Sequence, residues 1–281
     1  MDSTRRAFVA IIIAVGCASP LWADQAPEVA PVRSLTQDEQ SAFLLNARIG
    51  NKRSAGGGVT DSKRATLTDG TFSHDAHIQT VDIATPVFQA GRASEVNFKD
   101  TYRFNIAGYR LARLLGIRVP VSVERRVDGA QAAVTWWVDD FLMDEEDRLK
   151  KKTFGPDPDR TSRQVAVMRV FDELIQNKDR NQGNIIWTKD WTMWLIDHTR
   201  AFRLGRELLK PTNLNRVDRD LLARLRGLTE AEVSQAVGDS LRKDELAAVM
   251  ARRDLIVKHF DERIAKTNEA VVLFSMTPAT P

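Results

Sequence analysis

Cysteine is nearly missing from this chain: Cys17 is the single one in 281 residues. No intrachain disulfide can therefore support the fold. Long apolar runs are missing as well, since the stretch from Ala7 to Gly16 is too short to span a bilayer. Neither sign of charge dominates. The 41 basic and 38 acidic residues are mixed along the chain, and a net charge of +3 leaves no nucleic-acid footprint. No internal repeat is visible. What remains is ordinary globular composition, 43% hydrophobic and 28% charged, in a chain long enough to bury a core as one large domain or two lobes.

The N-terminus predicts export. Arg5 and Arg6 precede the Ala7–Gly16 run, and Leu21-Trp22-Ala23 offers a cleavage site, so 1–23 is expected to be a signal and 24–33 a linker. Thr4-Arg5-Arg6-Ala7-Phe8-Val9 resembles a twin-arginine signal. Ala14-Val15-Gly16-Cys17 resembles a lipoprotein signal with Ala where Leu is usual, which would anchor the protein to a membrane through a lipidated Cys17. The expectation is an exported protein, periplasmic or membrane-anchored, with the route left open. A packed N-terminal helix is the alternative.

Thr36 and Glu39 have capping-box spacing and predict a helix ending near Gly50. A glycine-rich stretch, 54–62, leads into a hairpin: strand Lys63–Thr68, turn Asp69-Gly70, and an extended run to Ile83. His74 and His77 flank Asp75 three apart, which on a strand puts them on opposite faces and argues against joint chelation. Phe98 to Gly116 reads as a helix with Tyr102, Ile106, Tyr109 and Leu114 or Leu115 as its apolar stripe. A second hairpin, 119–127 with 131–138, ends at Asp139-Asp140-Phe141. Met143 to Lys152 predicts a short helix, Asn215 to Ala270 helix throughout, and Ser275 onward a disordered tail.

The most informative stretch runs from Phe171 to Phe202. Val167, Phe171, Leu174 and Ile175 have helical spacing and predict a buried helix. A polar loop, Asn177 to Gly183, holds Asp179 and leads to Asn184. Ile185–Trp187 and Trp191–Ile196, split by Lys189 and Asp190, predict a β-hairpin, and Asp197 follows it directly. Three oxygen-bearing side chains are thereby brought to one end of a small sheet. Phosphoryl transfer asks for such a set: one carboxylate to accept or orient a hydroxyl proton, an amide and a second carboxylate to hold Mg²⁺ against phosphates. A polar loop without chemistry is the alternative for Asp179 alone.

Asp179-x-x-x-x-Asn184 has the spacing of the protein-kinase catalytic loop, yet neither His-Arg-Asp nor Asp-Phe-Gly occurs. Asn177–Asn184 followed by Ile196-Asp197-His198 resembles the atypical kinases: the phosphatidylinositol 3-/4-kinase superfamily, the HipA-type bacterial kinases and the secretory-pathway kinases. The resemblance implies an α+β, two-lobed protein-kinase-like fold, with an N-lobe over 34–138, a hinge at Asp139–Phe141, a C-lobe over 139–274 and a tail at 275–281. It implies ATP and Mg²⁺ or Mn²⁺ as cofactors, Asp179 as the catalytic residue, and Asn184 and Asp197 as metal ligands. Gly57, Gly58, Ser62 and Lys63 would close over the nucleotide phosphates, although the same glycines also suit a flexible connector. The acceptor is a hydroxyl of a protein, a lipid headgroup or a small molecule.

One departure stands out. These kinases carry a strand Lys that grips phosphate and a helix Glu that pairs with it. The corresponding positions here hold Gln79 and Asn105, so a charged pair is replaced by two amides. The expectation is that these two face each other in the cleft, with Lys63, Lys99 or Arg103 supplying the lost cation. The rival function is an exported pseudokinase or interaction domain that binds nucleotide or protein without turnover.

Overall fold

Thr36 begins the first helix, α1 (Gln37–Asn46), through both halves of the predicted capping box: the Glu39 N–H donates to Thr36 Oγ1 at 3.3 Å, and the Glu39 carboxylate accepts the Thr36 N–H at 2.8 Å. The structure, a computed structural model, describes residues 35–55, 62–90 and 93–276. The expected signal, its Cys17, the linker and the loop glycines Gly57 and Gly58 lie outside them.

The first helix stops before Gly50, which already sits in strand β1 (Arg48–Ser54). A Cβ at Gly50 would come within 2.9 Å of the Thr66 carbonyl oxygen, so glycine here serves close strand approach and not helix termination. Strands β2 (Lys63–Thr68) and β3 (Ser73–Gln79) form the expected hairpin, its turn held by Asp69 Oδ1 accepting the N–H groups of Thr71 and Phe72 at 2.8 Å each. The run to Ile83 is not one strand. Gln79 Oε1 accepts the N–H groups of Thr80 (2.9 Å) and Val81 (3.1 Å), ending β3. A separate hairpin follows, β4 (Asp82–Ala90) and β5 (Ala93–Thr101).

Consequently Phe98 to Thr101 is strand, and helix α2 (Arg103–Leu115) begins later than expected. Pairing with β4 decides this: Phe98 is buried and stacks on Phe88, ring centroids 4.1 Å apart. Gly116 ends α2 in the left-handed region at φ 70°, as glycine readily does. Strands β6 (Ser122–Val127) and β7 (Ala130–Trp136) complete an antiparallel sheet in the order β1-β2-β3-β7-β6. Ala65, Leu67, Ala76, Ile78, Val134 and Trp136 make its apolar face, in one core with Phe43 and Leu44 of α1. Register places Arg64, Thr66, Asp75, His77, Gln79 and Thr135 on the other.

Strand β8 (Phe141–Asp144), helix α3 (Glu145–Lys150) and the long helix α4 (Pro158–Leu174) lead to the polar loop that holds Asp179. The predicted hairpin there, β9 (Ile185–Thr188) and β10 (Met193–Leu195), joins β8 in a three-stranded sheet. The remainder is less purely helical than expected. Strand β11 (Val217–Asp218) precedes α5 (Arg219–Gly227), α6 (Glu230–Val237), α7 (Lys243–Lys266) and α8 (Glu269–Val272), and it pairs in parallel with β12 (Leu273–Phe274). The expected tail starts late, because the Met276 N–H donates to Asp218 Oδ2 at 2.8 Å and Ser275 O accepts from Arg163 at 2.8 Å.

Arg252 of α7 is wholly buried and joins this helical half to the end of α4 and to the segment after β10. It donates to the carbonyls of Leu174 (2.8 Å), Arg203 (3.0 Å) and Gly205. Arg252→Leu would leave these buried acceptors unpaired, each at a cost of order 1–3 kcal/mol. Urea denaturation of the variant is expected to show a loss of about 3 kcal/mol.

Candidate functional site

Asparagines build the loop before they do any chemistry. Asn177 Oδ1 accepts the Asp179 N–H at 3.0 Å, and Asn181 Oδ1 accepts the Asn184 N–H at 3.1 Å. Short polar side chains that bond the backbone two or three residues on hold such turns. The entrance is strained: Gln176 has φ 49° and is buried. It is held there by its own Nε2 donating to Glu207 O (3.1 Å) and by Phe202 N–H donating to the neighbouring Ile175 O (2.6 Å).

Arg180, next to Asp179, organises everything around it. Its guanidinium bonds both carboxylate oxygens of Asp172 on α4 (3.0–3.2 Å), the carbonyls of Asn184 (3.2 Å) and Ile196 (2.7 Å), and His198 Nε2 (3.1 Å). The Ile196 N–H donates to Asn184 O at 3.1 Å. Asn184 and Asp197 are thus neighbours at the open end of the β9–β10 hairpin, with Asp179 one residue from the guanidinium that joins them.

The segment after β10 is held from α2. Asn105 Oδ1 accepts the His198 N–H at 2.7 Å, and Gly108 lets the helix approach, since a Cβ there would lie 3.0 Å from the His198 ring. Asp197 itself has φ 52°, a region Asp tolerates better than most residues. Its Oδ1 accepts from the Thr199 hydroxyl at 3.0 Å, and the residue is exposed.

Four further residues, none of them expected from the sequence, complete the site. Arg200 bonds Asp179 Oδ2 at 3.2 Å and lies 3.6 Å from Glu95 on β5, which also pairs with Arg203 at 3.1 Å. Asp100, also on β5, is buried behind Asp197. Burial pushes its carboxyl up, and the charges of Asp197 and Asp179 add to that against the Thr199 hydroxyl and the Arg200 guanidinium. Reading Phe98–Gly116 as one helix hid Asp100 as a surface residue. Its placement depends on pairing with β4, which no local pattern in the sequence shows.

Solved structures share this architecture. The crystal structure of the Golgi casein kinase with Mn/ADP bound matches at TM-score 0.59 and 14% identity, covering 87% of this chain and 80% of its own. Hydra Fam20 with sugar matches at TM-score 0.63 and 14% identity, covering 85% and 92%. The Helicobacter pylori proinflammatory kinase CtkA matches at TM-score 0.50 and 10% identity, covering 80% and 98%. This is an atypical-kinase-like fold. No protein-family model matches the sequence, and no curated protein matches it.

Within that two-lobed fold the expected residues are placed as follows. Gln79 and Asn105 are both buried, and each amide oxygen accepts from backbone, Gln79 from Thr80 and Val81, Asn105 from His198. Ser62 lies just before β2 and accepts the Ala55 N–H on its carbonyl at 3.0 Å. Lys63 stands in register with Ile78, on the strand face of Ala65 and not on that of His77. Lys99 pairs with Glu245 of α7, and Arg103 lies over the Tyr102 ring, 5.8 Å from its centroid. The cations that do stand among the acids are Arg200 and Arg203. His74 stacks on Trp136 at 3.6 Å and bonds Asp139, whereas His77 feels the Asp197 charge from the opposite face; burial holds its imidazole below the ordinary value.

Among the described residues no three His, Cys, Asp or Glu side chains are spaced to hold a metal by themselves. Asp197 and Asn184 nonetheless supply hard oxygen donors of the kind Mg²⁺ and Mn²⁺ take, with phosphate oxygens completing such shells. Asp100, Asp179 and Asp197 interact as like charges with Arg200 opposing them. The site therefore fits a cation.

His198 offers a direct check on how this segment is held. Burial, and then the Arg180 guanidinium, push its imidazole well below the ordinary 6.5, so it is neutral in the fold. An unfolded histidine takes up a proton near its ordinary value while the folded one does not, so this stabilisation is full above that value and lost progressively as pH falls below it. His198→Gln keeps an acceptor for Arg180 but cannot titrate. Between about pH 7.5 and about pH 5, its melting temperature should fall less than that of the wild type.

Proposed function

We propose that the protein is an exported phosphotransferase that uses ATP and Mg²⁺ or Mn²⁺ and acts on a hydroxyl of a protein, lipid headgroup or small molecule. The observation that carries this reading is that the guanidinium of Arg180, the residue after Asp179, bonds the carbonyls of Asn184 and of Ile196, the residue before Asp197, and so draws the three together. Asp179, whose side chain is about half-exposed, can meet an acceptor from solvent and accept or orient its hydroxyl proton. Arg200 orients that carboxylate from the side. Asn184 and Asp197 would hold the metal, which supplies charge neutralisation for the polyphosphate when bound. Gly57, Gly58 and Ser62 would cover the phosphates. Catalysis in such a site is mostly positioning and electrostatics.

A second reading, nucleotide binding without turnover, is favoured by one specific observation. Gln79 and Asn105 are neutral, and their amide oxygens are committed to backbone N–H groups. Export rests on Arg5-Arg6 and the apolar run after them, with a lipidated Cys17 as the anchored variant of the same proposal. Among the described residues, no helix is long and apolar enough to cross a membrane.

Division of labour between the aspartates tests the reading. Asp179→Asn should leave nucleotide affinity nearly intact while ADP release from ATP falls by about a hundredfold or more, the scale of a lost general base. Nucleotide at about 100 times its dissociation constant should stabilise wild type and Asp179→Asn alike, by about 2.7 kcal/mol. Asp197→Asn should lose most of the Mg²⁺-dependent part of that gain. Nucleotide stabilisation without any ADP release by the wild type would select the second reading.

A further inference from the structure

A buried carboxylate oxygen with nothing to bond is costly, and this chain has one at its site. Asp100 is 9% exposed, and among the described residues its Oδ1 has no hydrogen-bond partner. Its strand is fixed against the segment that carries Asp197: the Thr101 N–H, next in sequence, donates to Thr199 O at 2.9 Å. The Thr199 hydroxyl lies between the two acids, bonding Asp197 Oδ1 at 3.0 Å and also touching Asp100. One hydroxyl carries one proton. It can donate to one carboxylate at a time, so it cannot satisfy both.

Neighbouring groups do not make up the deficit. Arg200 is drawn to Asp179 and Glu95, and Arg203 to Glu95. Lys99, adjacent in sequence to Asp100, is engaged by Glu245. His77 faces Asp197 but is held neutral by burial. A fixed carboxylate beside two others, with an unbonded oxygen and only the Arg200 and Arg203 guanidiniums, themselves shared with Asp179 and Glu95, to oppose it, is an environment in which a divalent cation gains much.

We infer that Asp100 is a ligand of the divalent cation and shares it with Asp197. The assignment rests on the phosphotransfer reading and deepens it. The metal would then be held from both sides of the cleft, by β5 and by the segment after β10. In this chain, which has Asn105 in place of a helix carboxylate, the second acid would come from the strand that precedes that helix. Asp100 so becomes part of the site that binds polyphosphate, and the β4–β5 hairpin becomes the element that delivers it.

The test is Mn²⁺ binding by the full chain, read as loss of the free Mn²⁺ electron paramagnetic resonance signal, with and without ADP. Asp100→Asn is isosteric and removes only the charge. Relative to wild type, Mn²⁺ affinity in the presence of ADP should fall by about tenfold or more, while ADP binding in chelator stays unchanged. Asp100→Cys gives an independent readout: it should bind Cd²⁺ with a thiolate-to-cadmium charge-transfer band in the ultraviolet, which Asp100→Ser lacks. A folded Asp100→Asn whose Mn²⁺ affinity stays within about twofold of wild type overturns the assignment, as that spread is far below the loss of a ligand. So does the absence of the band if Asp100→Asn fails to fold. If the wild type binds neither Mn²⁺ nor ADP, the phosphotransfer reading falls with it; if it binds both and the variants behave as wild type, only the role of Asp100 falls.

Discussion

One guanidinium, that of Arg180, carries the arrangement of this site. A buried ion pair repays its desolvation only when the geometry is good and the remaining donors are used. Arg180 meets both conditions, with two bonds to the oxygens of Asp172 and others to two carbonyls and an imidazole. Burial pushes the Asp172 carboxyl up, and Arg180 opposes that shift. Each proposed functional residue is one step from this hub. Asp179 precedes Arg180, Asn184 lends its carbonyl, and Ile196, which lends the other, precedes Asp197. The loop carries a single 3₁₀ turn, Gln182–Asn184, capped by Asn181, and its ends are bonded to a common point.

A second layer holds that hub to the rest of the molecule. Glu173, beside Asp172 on α4, accepts the N–H groups of Leu209 (2.6 Å) and Lys210 (2.7 Å), and Arg252 ties the end of the same helix to Arg203 and Gly205. From the other lobe, Asn105 reaches the His198 backbone while Gly108 lets α2 come close enough to do so. The segment from Asp197 to Lys210 is thereby pinned on both sides, which explains how Asp197 and Phe202 persist with positive φ. An amide at position 105 suits this role, because it accepts from a backbone N–H without bringing a charge into the interface.

The charge pattern of the site runs through the β4–β5 hairpin. Glu95 sits on the hairpin β4–β5 where it can pair with Arg200 and Arg203, and Arg200 in turn reaches Asp179. Cations and acids there are linked in series, and Asp100 beside them has an oxygen without a hydrogen-bond partner among the described residues. A hairpin that looks like a mere insertion between β3 and α2 is therefore an electrostatic part of the site.

Local physics was legible in the chain itself. The capping box at Thr36, the turns at Asp69-Gly70 and Lys189-Asp190, the glycine stop at Gly116 and the helix–loop–hairpin order around Asp179 depend on neighbours within a few residues. Such signals survive without tertiary context. The kinase-like spacing of Asp179, Asn184 and Asp197 belongs to the same class, because a hairpin returns the chain to where it started. What the folded molecule alone decided involves partners distant in sequence. Asp100 faces Thr199, Glu95 faces Arg200, Arg180 turns inward to Asp172 and His198, and Gly50 is in a strand because Thr66 packs against it. Whether Phe98–Thr101 is helix or strand depended on Phe88 across the hairpin, a contact that no helical periodicity over 98–116 could reveal. Periodicity reports which face a residue shows; only the packed fold reports what stands opposite.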